Sequence, residues 1–342
     1  MRALLHRRLC MVLLTSAIAG VTHTAAAQAA PPPSHARVEL TVLSADSMEG
    51  RLTGTIGIRK AAAYIAHQLQ EIGLTPGGDS GYYQRVPLGR QPGGDPTDLT
   101  LLPSWAAYDS LPADHRVADA NMIGILRGSD PVLRDSVILV DAHYDHLGIG
   151  KPVNGDSIYN GADDDGSGTV TVLEVARALA QGPRPKRTII FVLTTGEEIG
   201  LQGTTWYLAH PVVPLTSMAA NLEIEMDGRP DSLIGGPGKA WLTGFERSTM
   251  GSMFKSAGLA IVPDPRPDQN FFQRSDNIAF AKAGVPAHTL STFGLHSDYH
   301  RPSDEISKID FAHFEAVIQT ATRAVQLLAN GPAPVWNPGG RP

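Results

Sequence analysis

The chain has 342 residues, of which 42% are hydrophobic and 18% charged, and its formal net charge is −6 at pH 7. The acidic balance argues against nucleic acid as a partner. The only cysteine, Cys10, lies in a segment that we expect to be removed, which excludes cysteine catalysis and disulfides in the mature chain. A chain of this size can bury one large core, and α/β folds of this length often form a single domain.

The first thirty residues have the layout of a secretory signal peptide. Arginines precede an apolar run at Leu9–Val21, and small residues follow at 25–30, which is the order found in such signals. We therefore expect residues 1–30 to be cleaved and the mature protein to be periplasmic or secreted. Twin-arginine export at Arg7-Arg8 is the less favoured route. No stretch has the roughly 20 apolar residues of a transmembrane helix, so we expect no permanent membrane anchor.

Proline and glycine mark both ends of the predicted domain. Residues 31–40 begin with a run of prolines, and residues 331–342 contain four prolines and three glycines. Such compositions favour mobile chain. We therefore expect a mobile leader at 31–40, one domain over 41–330 and a disordered tail at 331–342.

The domain itself shows apolar runs that are typical of alternating strands and helices. Buried-strand runs are predicted at Val137–Val140, Thr188–Leu193 and Val285–Leu290, and helices at 55–74, 169–181, 203–210, 245–257 and 311–329. This alternation predicts an α/β fold with a mostly parallel central sheet flanked by helices on both faces. Ligands of such sheets collect at the carboxyl ends of the strands.

Five segments rich in acids and histidines follow or adjoin these runs. They are AHYDH at 142–146, GADDDGSG at 161–168, TTGEE at 194–198, EMDG at 225–228 and SDYHRPSD at 297–304. A divalent cation needs oxygen and imidazole donors from distant parts of a chain, with a base beside it that does not ligate. Glu197 and Glu198 can supply both functions, because successive side chains of an extended strand point to opposite faces. The pattern predicts two metal ions and hydrolysis.

The first two segments have local features that favour metal binding. Asp145 follows His143 by two residues, so it can accept the second ring N–H and hold the tautomer that offers a lone pair to a metal. The neighbouring Asp141 and His146 are interpreted as structural. Three consecutive acids at Asp163–Asp165 would repel one another unless a positive charge lies among them, although a turn that caps the next helix is the alternative.

These motifs resemble those of the M28 family of co-catalytic zinc peptidases, which includes aminopeptidases and carboxypeptidases with a phosphorylase/hydrolase-like α/β fold. The resemblance runs from about Leu43 to Leu328, and its strongest stretches are AHYDHLG, NGADDDGSG and TTGEEIGLQG. It implies a zinc exopeptidase with two Zn²⁺ per chain and a cis peptide between Asp164 and Asp165. Some relatives carry an inserted protease-associated domain, but the interval Gly77–Asp119 is too short to hold one.

The resemblance also implies a role for each position that matches a family motif. Five residues would be metal ligands, with Asp164 as the bridge, His143 and Glu225 completing one zinc site, and Glu198 and His300 completing the other. Asp145 would orient His143. Glu197 would be the general base that takes a proton from a water bridging the two zinc ions, and Tyr299 would donate to the developing oxyanion.

Two positions depart from the family pattern. Glu225 stands where an aspartate is usual, and Asp227 is an alternative ligand because both would lie on one face of an extended strand. In Ser275–Asn277 the third residue is commonly histidine, so we infer only a supporting role for this stretch. His296 competes with His300 for the last ligand position.

The residues and the resemblance together predict an exported metallo-exopeptidase that acts on peptides. An aminopeptidase is favoured, because acids near the metals could receive a substrate ammonium and no clamp for a carboxylate stands out. A carboxypeptidase or dipeptidase of the same family is the alternative, with Arg274 and Arg301 as candidates to bind the substrate carboxylate. A one-zinc glutaminyl cyclase and a catalytically inert peptide-binding ectodomain are less favoured, because the five ligands and the base are all present.

Overall fold

The computed structural model of the protein describes residues 34–90, 93 and 98–342. The predicted signal peptide at 1–30 lies outside this part. The α-helices are α1 His35–Leu43, α2 Ile56–Ile72, α3 Trp105–Ser110, α4 Gly168–Gln181, α5 Gln202–Ala209, α6 Thr249–Ser256, α7 Asn277–Lys282 and α8 Phe311–Asn330. The strands are β1 Thr75–Pro76, β2 Tyr83–Arg90, β3 Leu99–Leu101, β4 Arg116–Leu126, β5 Val137–His143, β6 Gly148–Val153, β7 Asp156–Tyr159, β8 Thr188–Thr194, β9 Met218–Glu225, β10 Ala240–Leu242, β11 Ile261–Pro263 and β12 Ala287–Ser291.

A ten-stranded sheet forms the centre of the described domain. Its strand order is β11-β10-β12-β9-β5-β8-β4-β2-β3, with β1 paired to β4, and β6 and β7 form a separate hairpin. The central strands from β12 to β8 are parallel, whereas the pairings of β4 with β8 and of β10 with β12 are antiparallel. The predicted α/β class is confirmed, and the parallel part is the centre of a mixed sheet.

Alternate residues of strand β5 divide between two apolar cores. Ile138 and Val140 pack in one core with residues of α2, α4 and α8. Val137 and Leu139 pack in the other with residues of α5 and α7. Because successive strand residues face opposite sides of a sheet, helices cover both faces, as predicted. Strands buried on both faces have continuous apolar runs, which explains why β5 and β8 could be predicted from the sequence.

Helix boundaries follow local capping groups. Helix α2 ends at Gly73, whose φ of 82° is the left-handed conformation that glycine adopts readily after a helix. Helix α6 begins four residues later than the predicted 245, because the Ser248 side chain accepts a hydrogen bond from the Met250 backbone N–H. Among the helices of the described residues, none is both long and apolar enough to cross a membrane.

The structure differs from the predicted domain boundaries at both ends. Helix α1 begins inside the predicted leader at 31–40, and it buries Leu40 and Leu43 against the sheet-covering helices. The predicted disordered tail at 331–342 packs on the domain, because the Trp336 indole N–H donates to the Gly284 carbonyl at 3.0 Å. Proline and glycine content alone did not reveal these buried contacts.

Candidate metal centre

The acid and histidine segments meet at the carboxyl ends of three neighbouring strands. Strand β5 ends at His143, β9 ends at Glu225, and β8 ends three residues before Glu197. The three strands are parallel and adjacent in the order β9-β5-β8. Parallel strands end at the same edge of a sheet, so residues more than eighty positions apart lie beside one another, at the edge where ligands of such sheets bind.

Asp164 lies between the other predicted ligands. Its Oδ1 atom is 3.4 Å from His143 Nε2 and its Oδ2 atom is 3.1 Å from His300 Nε2. Glu198 Oε2 is 3.3 Å from the same His300 nitrogen. Two donors bound tetrahedrally to one zinc ion, with bonds of about 2.0–2.1 Å, lie roughly 3.3 Å apart. The donor types and their spacing therefore fit zinc.

Unpartnered atoms support this fit. Asp164 Oδ2 is buried and accepts no hydrogen bond of good geometry from the described residues, although His300 Nε2 lies 3.1 Å away. Buried polar atoms without a partner are uncommon and call for an explanation such as an ion. Burial raises the pKa of Asp164, but His146, His143 and His300 more than offset it and hold that pKa well below its ordinary value. The carboxylate is thus the charged form that a cation needs.

His143 is buried, and two acceptors lie near its Nδ1 atom. Its Nδ1 atom lies 3.2 Å from the backbone carbonyl of Asp145 and 3.7 Å from the carboxylate of the same residue. The carbonyl is therefore the nearer acceptor, whereas the sequence pointed to the carboxylate. Either acceptor favours the Nδ1–H tautomer, which leaves Nε2 free on the side of Asp164.

Glu197 and Glu198 occupy different environments, as their predicted roles require. Both line the cavity over the site, but Glu198 faces His300 and Glu197 has no ion pair among the described residues. Burial, then Glu198 and Glu225, raise the pKa of Glu197 well above its ordinary value, against the opposing effect of His143. A carboxylate with a raised pKa suits a group that must both accept and return a proton.

The sequence interpretation missed His146. This histidine is fully buried, and its Nδ1 atom is 2.8 Å from Glu198 Oε1 and 3.7 Å from Asp164 Oδ2. With Asp164 and Glu198 it forms a group that could hold a metal ion. The available signal was the second histidine of AHYDH, which local spacing alone did not distinguish from a structural residue. Its contact holds Glu198 so that the other carboxylate oxygen faces His300.

Glu225 and Asp227 do not lie on one strand face. Strand β9 ends at Glu225, and Met226 has a φ of 49°, which interrupts the alternation. Glu225 lines the cavity with Asp164, whereas Asp227 is fully buried and accepts a hydrogen bond from Thr171 Oγ1 at 2.7 Å. Burial and then Glu223 raise the pKa of Glu225 to about 8. A cation bound beside Glu225 would stabilise the ionised carboxylate.

His300, Tyr299 and Asp304 come from one loop. The Tyr299 ring stacks on the His300 ring with centroids 3.9 Å apart, and its phenol lines the cavity. Burial and then Asp164 raise the pKa of Tyr299, so the phenol stays protonated and can donate. Asp304 accepts hydrogen bonds from the backbone N–H groups of Asp163 and Asp164. His296, the competing donor, instead contacts Asp163 at 3.0 Å.

The flanking acids have structural contacts. Asp165 Oδ1 accepts hydrogen bonds from the backbone N–H groups of Gly168 and Met226 at 3.0 and 2.9 Å, in keeping with its predicted capping role. Asp163 Oδ1 accepts from the Gly228 N–H at 2.8 Å. The peptide bond between Asp164 and Asp165 is cis, as predicted.

The stretch Ser275–Asn277 binds the carboxylate of Glu223 on strand β9. Glu223 accepts hydrogen bonds from the backbone N–H groups of Asp276 and Asn277 at 2.9 Å, and from Ser275 Oγ and Thr289 Oγ1. These contacts fix strand β9 two residues before Glu225. The supporting role inferred for this stretch therefore has a physical basis in the Glu223 carboxylate.

A small cavity that opens to solvent lies beside the candidate ligands. Its lining is partly aromatic, with Trp241, Phe271 and Phe293. Arg274 also lines this cavity, with its guanidinium 5.0 Å from the Phe271 ring. Arg301, the other candidate for a carboxylate, lies in a separate surface groove. Of the two candidate arginines, only Arg274 therefore lines the cavity that contains the candidate metal ligands.

Comparisons with known proteins identify relatives in sequence and in fold. A vacuolar membrane protease of Lachancea thermotolerans is 28% identical over 206 residues, which cover 58% of this chain and 19% of that protein. A zinc aminopeptidase from Bacillus subtilis has a similar structure, with a TM-score of 0.60, 16% identity and coverage of 86% and 95%. Porphyromonas gingivalis glutaminyl cyclase reaches 0.58 at 17% identity, covering 85% and 96%. At these identities the similarity to the two solved structures concerns the fold. The matched part of this chain covers about a fifth of the vacuolar membrane protease.

The sequence model of peptidase family M28 matches residues 121–325. That interval contains strands β5, β8 and β9, all five predicted ligands and the predicted base. Because the match extends over more than half of the chain, the chain belongs to peptidase family M28.

Proposed function

We propose that the protein is an exported zinc aminopeptidase that binds two zinc ions per chain. The observation that carries the proposal is the position of Asp164, whose two oxygens face His143 on one side and His300 on the other. Such a carboxylate can be shared between two ions. The name of the structurally similar Bacillus subtilis enzyme, a zinc aminopeptidase, supports the choice of metal and of reaction.

The ligands would form two sets around Asp164. His143 and Glu225 would complete one set, and Glu198 and His300 the other, with His146 holding Glu198 in place. Bound zinc would polarise the scissile carbonyl and lower the pKa of a water molecule. The chain's own residues supply the remaining steps of peptide hydrolysis.

Glu197 is the proposed general base. Its raised pKa and its place in the cavity wall let it take a proton from the attacking water and deliver that proton to the leaving amine. Tyr299, protonated and on the same wall, would donate a hydrogen bond to the oxygen of the carbonyl as negative charge develops there.

A second candidate activity is removal of residues from the carboxyl terminus, or cleavage of dipeptides. It is favoured by Arg274, because a guanidinium in the wall of the cavity could bind a substrate carboxylate in a bidentate manner. The structurally similar Bacillus subtilis enzyme is named an aminopeptidase, so we place this second activity after it.

Three measurements on the purified protein test the proposal. Elemental analysis should give two zinc ions per chain, and a value that stays at one in excess zinc would contradict the shared carboxylate. Aminoacyl anilides and free-amine peptides should be hydrolysed, whereas N-acetylated peptides should be refused. Cleavage only of blocked peptides with a free carboxyl terminus would establish the second candidate in its place.

A further inference from the structure

Arg51 is a buried arginine whose side chain contacts the candidate metal centre from behind. Only 1% of its surface is exposed. The guanidinium donates to four backbone carbonyls: Nε to Tyr144 at 2.8 Å, Nη1 to Leu43 and Asn160 at 2.8 and 2.6 Å, and Nη2 to Gly161 at 2.9 Å.

Two of these carbonyls adjoin metal ligands. Tyr144 directly follows His143 at the end of strand β5, and Gly161 begins the loop that leads to Asp164. The planar guanidinium presents its donors in a fixed geometry. One side chain therefore sets the distance between the segment carrying His143 and the segment carrying Asp164.

The residues around Arg51 add contacts to the first of these segments. The backbone N–H of His146 donates to the Arg51 carbonyl at 3.2 Å. Thr53 Oγ1 donates to the Asp145 carboxylate at 3.1 Å. The Asp145 carbonyl is in turn the nearest acceptor for His143 Nδ1. Residues 51–53 thus contact the main chain and the Asp145 side chain in the three residues that follow the His143 ligand.

Three consecutive residues that end at Arg51 have positive φ values. Glu49, Gly50 and Arg51 have φ values of 53°, 64° and 52°, a conformation that costs free energy for residues other than glycine. A Cβ atom at Gly50 would lie 2.4 Å from the Tyr159 carbonyl oxygen, so only glycine fits there. The surrounding structure maintains this turn, and the turn places the guanidinium between the two ligand segments.

We propose that Arg51 is a positioning residue of the metal centre, which fixes His143 and Asp164 relative to each other by binding the carbonyls beside them. The inference rests on the proposed metal centre. Arg51 lies outside residues 121–325 that the family model matches, so it adds a contribution from the amino-terminal part of the domain. Removing such outer contacts lowers metal affinity by about 10–100-fold in known metal sites.

Arg51→Met and Arg51→Lys test the proposal on the whole mature protein. Zinc affinity is measured by competition with a chromogenic chelator, and thermal unfolding is measured in the zinc-free form. Arg51→Met should bind zinc at least about 10-fold more weakly. Arg51→Lys should be nearly as weak, because an ammonium keeps the charge but cannot reach all four carbonyls. Full recovery of affinity in the lysine variant would show that charge alone matters, and would overturn the proposal.

A matched control is Arg187→Met. Arg187 is also buried, and its guanidinium donates to the carbonyls of Leu328 and Gly331, at the start of strand β8 and away from the metal ligands. This variant should lose thermal stability but keep wild-type zinc affinity. Equal zinc affinity in both methionine variants would overturn the proposal, since Arg51 would then be only structural.

If Arg51→Met does not fold, the two single variants Thr53→Val and Arg51→Lys test the positioning role of Arg51. Thr53→Val removes one hydrogen bond to Asp145 and should weaken zinc binding by a smaller factor. Wild-type zinc affinity in both variants would refute the positioning role. Failure of the wild-type protein itself to bind zinc would instead refute the proposed function, so the two failures are distinguishable.

Discussion

The backbone N–H of Glu197 donates a hydrogen bond to the Asp145 carboxylate at 3.2 Å. This contact joins the end of strand β5 to the loop after strand β8. The adjacent N–H of Glu198 approaches the same carboxylate at 3.4 Å. Asp145 therefore contacts the ends of both strands. It lies beside His143, and its carboxylate binds the main chain of the candidate base. The main-chain position of the base is therefore held by a contact that does not involve the Glu197 side chain.

Glu197→Gln should lower turnover by about 10²–10⁴-fold and leave both metal ions bound. The amide has nearly the same size and keeps the backbone bond to Asp145, but it cannot take a proton. Steady-state kinetics and elemental analysis on the same preparation check this. Loss of metal in the variant, or retained activity, would mean that the roles of Glu197 and Glu198 are reversed or misplaced.

Glu225→Ala should weaken zinc binding and remove most activity, because Glu225 lines the cavity beside Asp164. Asp227→Ala should leave zinc bound and lower thermal stability, because Asp227 is buried and bonded to Thr171. Loss of that buried hydrogen bond leaves Thr171 unpartnered and costs about 1–3 kcal/mol. Zinc content should therefore fall in Glu225→Ala and stay at the wild-type value in Asp227→Ala, while the melting temperature of Asp227→Ala should fall. The reverse result would identify Asp227 as the ligand.

The sequence was sufficient for the strand ends that carry the candidate ligands. His143 and Glu198 follow apolar runs whose burial on both faces makes them unmistakable strands. The end of β9 was harder, because the positive φ of Met226 interrupts an alternation that the residue types suggest. The sequence therefore leaves Asp227 as an alternative ligand, and the bond of its carboxylate to Thr171 favours Glu225 instead.

Contacts across long sequence separations could not be predicted. Arg51 reaches Tyr144 and Gly161 from more than ninety residues away, and no local periodicity reports that. His146 likewise contacts Glu198, which lies on a different loop of the chain. A single arginine or histidine in a sequence is compatible with many environments, so only the folded chain distinguishes them.

Arg274→Ala should raise KM for a dipeptide with a free carboxyl terminus by about 3–10-fold more than for its amide, since a hydrogen bond to a charged group contributes about 1.5–3 kcal/mol when shielded and less when exposed. Arg274 lines the cavity, whereas Arg301 does not. Arg301→Ala is therefore the matched control and should change neither KM. Equal effects of Arg274→Ala on the free and amidated peptides would exclude this arginine as a carboxylate site.

His288 gives the fold a pH dependence that is separate from the metal centre. The residue is fully buried, its Nδ1 atom donates to the Thr243 carbonyl at 2.7 Å, and Nε2 is 2.6 Å from Ser248 Oγ. Ser248 also caps helix α6. Burial lowers the pKa of His288 from 6.5 to about 4. The folded protein therefore holds this imidazole neutral, while the unfolded chain takes up a proton below its ordinary pKa.

Stability should consequently fall as pH decreases from 6.5 to about 4, because the unfolded state binds more protons in that window. The loss attributable to His288 is on the order of 3 kcal/mol at the acid end. His288→Gln should lower stability at neutral pH and flatten this slope, measured by urea unfolding of the zinc-free protein across the window. His35→Gln, at an exposed position, should keep the wild-type slope. A slope unchanged by His288→Gln would show that other groups cause the acid sensitivity.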